Sequence, residues 1–427
     1  MRIPRNQTVV AFVLLLASCG AAAASQSDPS GSSSEPHVSA PAANESPTTL
    51  ALPITGAESA FPARLSLTTT DGKVLTFSPD ADPLVTDGVI SPTGKVVVSA
   101  SFMHGRTMIE WHDVKTDIIS GELQVDGEFR PAAVSQDGKL VALIGTTPTS
   151  TTVVLATPSG GEMRRWTFDG LLVPEAFANA YEPNGDGLPI GVFVIEYLDT
   201  NTYRVRVIDT ATGELGLPLN LRDKSQTVDE IMTAVSRTAV FEPTNQLLFT
   251  LYQDATEGDG EVGSFIHTLG LVNGVWCLDV PEQLGLADHA GALTVSPDGS
   301  RLYAASSIGG VAGYVVSDVI TNGPDMPKAR TTVALGASAK RVAIGASRDE
   351  VVVALGGSLF RLDPVNLVVR DSFVWDMDVE ALTVLEDGSI VIVGTGRMTV
   401  VSPQNELLAE RALPYGATEV TRVAVVG

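Results

Sequence analysis

Cysteine is nearly absent from this chain of 427 residues: there are two, Cys19 and Cys277. A disulfide framework is therefore excluded, and the fold must be held by its apolar core. Lysine and arginine are also scarce, 27 against 50 aspartates and glutamates, for a formal net charge of -23. That balance excludes nucleic acid as a partner and argues against electrostatic adhesion to anionic lipid. The five histidines, His37, His104, His112, His267 and His289, form no set with metal-ligand spacing, which leaves no His-based metal centre legible. No Gly-x-Ser-x-Gly elbow and no phosphate-cradling glycine loop occurs, so neither a serine-hydrolase nor a nucleotide-binding signature is present. The apolar run Val9 to Ala17 is about half the length that a bilayer crossing needs.

That short run has another use. Arg2 and Arg5 precede it and small residues follow, the order of a secretory signal peptide. Leu16-Ala17-Ser18-Cys19-Gly20 resembles the bacterial lipobox, in which the cysteine receives diacylglycerol before cleavage. The resemblance implies lipid on Cys19, the other reading being release after Ala21 to Ala24. The expected organisation is a signal with lipobox over 1–19, a flexible tether over 20–54 rich in Ala, Ser, Pro and Gly, and a folded body over 55–427. The body is expected outside the cytoplasmic membrane, anchored through the acylated cysteine.

Internal repetition organises the body. A short apolar strand, a Ser-Pro-Asp-Gly type turn and a second β-rich strand recur at Gly88 to Ser99, Ala132 to Leu143 and Leu293 to Ala304. Weaker copies start at Ala239, Val342 and Leu382, and Ile190 to Tyr197, preceded by Glu182 to Gly187, supplies a diverged one. Proline presets φ at the first corner of such a turn, and glycine takes the position that requires φ above zero. Counting these units gives seven, each completed by two further strands. The expected fold is all-β, a seven-bladed β-propeller of four-stranded antiparallel blades. The alternative is a tandem of β-sandwiches with strands of similar length. The terminal strands near Ala63 to Phe77 and Val420 to Val426 are expected to meet in one sheet, since an open ring would leave edges unpaired.

On the turn and strand reading like Leu302-Tyr303-Ala304, the chain resembles bacterial seven-bladed propeller lipoproteins of the YVTN and WD40-like type. Regular Trp-Asp strand ends are missing; Trp375-Asp376 stands alone. The resemblance implies the architecture only.

Candidate sites are few. Glu182-x-Asn184-x-Asp186-Gly187 resembles the start of a calcium loop, with a structural calcium as the one possible cofactor, although glutamate replaces the first aspartate and no closing acid follows. The acidic, glycine-rich segment 254–261 reads as an exposed insertion. Ser264 to Pro281 is an unusually apolar hairpin whose Phe265, His267 and Trp276 are the candidate interface residues, or else fill the space between blades. Cys277, within an apolar run, reads as a buried structural thiol. No catalytic residue is named. The expected function is a membrane-tethered binding or scaffold module for an envelope protein, with a propeller lyase or lactonase-like hydrolase, or a small-ligand or sugar-binding lipoprotein, as alternatives.

Overall fold

The computed structural model describes residues 54–425 except for short segments, the longest being 179–190 and 254–263. Cys19, the signal and nearly all of the tether lie outside the described residues, as do Glu182, Asn184 and Asp186.

Antiparallel four-stranded units follow one another along the chain. Within a unit, sequence-adjacent strands pair from first to fourth. The hairpin Leu293 to Ala304 shows why. Ser296 closes the first strand, and its hydroxyl donates to Asp298 (2.6 Å) while accepting the backbone N–H of Arg301 (3.0 Å). Gly299 takes φ +70°, and the chain turns back as Arg301–Ser306. Ser135 and Asp137 repeat the arrangement ahead of Val141–Thr146. Where the sequence has Glu242 instead of serine, its fully buried carboxylate accepts the N–H groups of Thr244 and Asn245 (2.6 and 2.7 Å). The same turn is thereby built with a longer side chain.

Burial grades across each unit. Second strands such as Val351–Leu355 and Ile390–Gly394 are buried at every position, because both faces pack against neighbouring sheets. Fourth strands such as Gly161–Asp169 are mostly exposed or half-buried. Separate apolar clusters fill successive gaps between sheets, for example Phe249, Ile266, Leu302 and Tyr314 in one and Tyr303, Val311, Val351 and Leu362 in the next. Tyr314 and Tyr303 also bridge the gaps, donating to the carbonyls of Asp279 (3.0 Å) and Pro364 (2.8 Å). This radial arrangement of sheets is a β-propeller.

The ring has eight blades, and the expectation of seven is corrected. The long strand Ala81–Ile90 serves two sheets: residues 81–87 pair with Lys73–Ser78, and Gly88, Val89 and Ile90 pair with Val96–Met103. Its first part is the outer strand of blade 1 and its last the inner strand of blade 2. Blades 2 to 8 have inner strands ending near 90, 134, 178, 242, 295, 346 and 384, and these are the seven turn units of the sequence. Blade 1 escapes the count for a physical reason. Its inner strand, Val420–Val425, is the last of the chain and its second, Leu65–Thr69, is near the start, so no turn joins them. The two ends of the body do meet in this sheet. Ile54–Gly56 adds a fifth strand to the outer edge of blade 8, straddling the boundary expected at 54/55.

Closure is fastened by Glu380, on the inner strand of blade 8. Its nearly buried carboxylate (7 % exposed) accepts the N–H of Val420 (2.9 Å) and pairs with Arg341 of blade 7 (2.8 Å). Replacing Glu380 by alanine removes a charge-assisted bond at the seam and should lower unfolding free energy by about 2–3 kcal/mol in urea titration. At Gly299 an added Cβ would sit 2.0 Å from Glu242 Oε1, whereas at Gly94 nothing lies within 4 Å. Gly299→Ala should therefore cost more than the roughly 1–2 kcal/mol of left-handed strain expected for Gly94→Ala; equal losses would contradict this reading of the turn.

Candidate functional site

Eight inner strands enclose the central channel, and their residues decide its chemistry. Small side chains, Ala132, Ala133, Ala176 and Ala239, keep it open, while Val89, Ile90, Phe241 and Leu248 make its wall apolar. Between the strands of blades 1 to 5 lies a cavity of about 60 Å³, toward the end of the ring that carries the serine-led turns. Two charged residues line it, Glu175 and Arg422. Both belong to irregular strands. A bulge between Pro174 and Ala176 leaves Glu175 without a cross-strand partner position, and one opposite Thr68 and Thr69 skips Thr421 and sets Arg422 across from Thr68. Bulges re-aim side chains in this way. Arg422 is partly buried and faces the lumen; enclosure by protein lowers its pKa from the ordinary value, yet a guanidinium stays protonated in proteins. Among the described residues its guanidinium has no hydrogen-bond or ion-pair partner.

The other face of the ring carries a different feature. Val96–Met103 and Arg106–Asp113 are eight residues each, against five for the corresponding strands Val351–Leu355 and Ser358–Leu362 of blade 7. The hairpin thus reaches about 10 Å further than that of blade 7, and about as far as those of blades 4 and 5, whose second and third strands have seven or eight residues. His104 at φ 53° and Gly105 at φ 81° form a tight turn with two left-handed residues. At the tip Phe102 and Met103 are 48 % and 63 % exposed. Beside this hairpin, between blades 2 and 3, is a polar groove of Arg106, Gln124, Asp126, Glu162 and Arg165. Its charges pair among themselves, Arg106 with Asp126 (2.8 Å) and Arg165 with Glu162 (2.6 Å).

Phe265 is half-buried and stacks on Tyr252 (5.2 Å between ring centroids) in the gap between blades 4 and 5. His267 is buried, edge-on to the same tyrosine. Trp276 is half-buried against the cluster between blades 5 and 6, with the Arg222 guanidinium 5.2 Å from its ring. The hairpin thus packs between blades. Cys277 is half-buried, and its thiol donates to Glu230 (3.7 Å); burial and that carboxylate push its pKa up, the opposite of nucleophile activation. His112 lies within 3.1 Å of Ser99 Oγ and 3.2 Å of Glu110. Among the described residues no group of three or more His, Cys, Asp or Glu could hold a metal ion.

The sequence reading missed Glu175, Arg422 and the Phe102–Met103 tip. A signal existed for each: one charge in an otherwise uncharged stretch of inner strand, Val173-Pro174-Glu175-Ala176-Phe177 and Val420-Thr421-Arg422-Val423, and two large apolar residues directly before His104-Gly105.

With this geometry the protein is defined as a β-propeller. No family model matches the chain, and no curated protein does. Solved structures do: dihydro-heme d1 dehydrogenase NirN in complex with DHE, at 13 % identity over 86 % of this chain and 75 % of that one, TM-score 0.46. Sqt1 of Saccharomyces cerevisiae matches at 13 % identity over 81 % and 87 %, TM-score 0.46, and uncharacterized protein lmo1340 of Listeria monocytogenes at 10 % over 74 % and 91 %, TM-score 0.40. These likenesses concern the fold alone. The resemblance to seven-bladed YVTN and WD40-like lipoproteins does not hold, because the ring has eight blades.

Burial lowers the pKa of His267 to about 4, so the folded protein holds it neutral. Unfolded, the imidazole would titrate near its ordinary 6.5. Between these values the unfolded state binds the extra proton, so this contribution is complete above pH 6.5 and is lost as pH falls toward 4. Wild type should lose about 2–3 kcal/mol more than His267→Leu over that interval, measured by urea unfolding at several pH values.

Proposed function

We propose that the chain is a membrane-tethered propeller that binds an envelope protein through the face carrying the Phe102–Met103 hairpin. The observation that carries this reading is the tip itself: two large apolar side chains held in water by a rigid turn, on a hairpin longer than its counterpart in blade 7. Exposing such residues costs solvation free energy, and a protein partner would recover it. Methionine suits an imprecise surface, because its unbranched thioether adapts to the contour it meets. The strong negative charge favours a partner with basic groups around an apolar centre. Lipid on Cys19 and the segment 20–54 would keep the ring close to the membrane while letting it turn toward that partner.

The test is capture from solubilised envelope with the full chain in neutral detergent, comparing wild type with the Phe102→Ser, Met103→Ser double variant. A specific partner should fall by about tenfold or more with the variant, and the variant's stability should stay near wild type because both side chains are exposed. Undiminished capture would remove the hairpin from the interface. Independently, Cys19→Ala should shift the chain from membrane to soluble fraction; no shift would end the lipid-anchor reading.

A further inference from the structure

From the lining of the channel cavity we infer a second binding site, for a short aliphatic monocarboxylate held by Arg422, on the face opposite the hairpin.

A half-buried guanidinium without a counter-charge is costly, since part of its hydration is lost and nothing replaces it. Arg422 faces a narrow space whose lining holds one other charged residue, Glu175, and among the described residues its guanidinium has no ion-pair partner. An anion in the cavity would supply the missing partner. A carboxylate suits the guanidinium best because its two oxygens match the planar fork of N–H donors. The remaining wall, Val89, Ile90, Phe241 and Leu248, offers nothing to a second polar group and favours an aliphatic tail.

Size and charge narrow the class further. About 60 Å³ is room for roughly four or five water molecules, which fits an acid of about three or four carbons and excludes a sugar or a large ring. Glu175 lines the same cavity and repels a dianion, so phosphate, sulfate and dicarboxylates are disfavoured against a single negative charge. The bulges that aim both charges inward lie on strands far apart in the chain, Leu171–Ala178 and Val420–Val425, so the site exists only once the ring is closed.

The probe is propionate, titrated calorimetrically into the full chain in neutral detergent, with propylamine and chloride at matched ionic strength. Propionate should bind saturably and raise the melting temperature, propylamine should do neither, and chloride should bind more weakly. Arg422→Gln should raise the propionate Kd by about tenfold or more. Glu175→Gln should lower it by removing a like charge. Without ligand, Arg422→Met should melt higher than wild type, since an uncompensated charge is removed from the channel. The inference is overturned if propionate gives no saturable binding, if Arg422→Gln leaves its Kd unchanged, or if chloride binds as tightly as propionate. Should an Arg422 variant fail to fold, the propionate and chloride comparison on wild type and the sign of the Glu175→Gln effect still decide. None of these readouts involves the hairpin, so they stand or fall separately from partner capture.

Discussion

Pairing of the last strand with the first is the constraint on which the rest depends. Val420–Val425 hydrogen-bonds to Leu65–Thr69, giving blade 1 its inner strand and joining blade 8 to blade 1. Without that pair each end of the ring would present an unsatisfied sheet edge, and the apolar cluster of Leu65, Leu67, Val391, Val423 and Val420 would be open to water. Glu380 reinforces the seam by holding the backbone of Val420 from blade 8 while pairing with Arg341 of blade 7. Three blades are thus locked by one carboxylate where the chain itself provides no continuity.

Closure also creates the channel. Inner strands that would be ordinary edges become the walls of a lumen, and the side chains pointing inward determine what it admits. Around the cavity most of them are alanine, valine and isoleucine. Glu175 and Arg422 break that pattern at bulges, where one extra residue re-aims the strand without disturbing its neighbours. The hairpin tip on the other face follows a different logic, because the turn between the second and third strands of a blade adds surface beyond the ring and leaves it intact. A propeller can therefore carry two unrelated chemistries, one per face, at little cost to its core.

The interior of the apolar hairpin Ser264–Asp279 shows how sheet packing absorbs residues that look functional in a linear reading. Phe265, His267 and Trp276 alternate between its two faces and fill the gaps to blades 4 and 6. Aromatic anchors are what an interface uses, but the wedge-shaped spaces between blades need bulky side chains for the same reason: each buries a large apolar area in a confined volume.

Much of the architecture was legible in the residues. The serine-led turns at 91, 135 and 296, with Gly94, Gly138 and Gly299 at positive φ, marked the hairpins, and their spacing gave seven of the blades because turn chemistry is local. The all-β class and the meeting of the termini followed from the same pattern and from the need to pair edges. Blade number was not legible, because the eighth blade is assembled from two chain ends with no turn between them and from a strand whose pairing passes from one sheet to the next between residues 87 and 88. Nor was the candidate site, since Glu175 and Arg422 lie 247 positions apart in the sequence and share a cavity only through ring closure. Local sequence determined which residues make strands and turns; the tertiary structure alone decided which strands are neighbours, and so which charges meet.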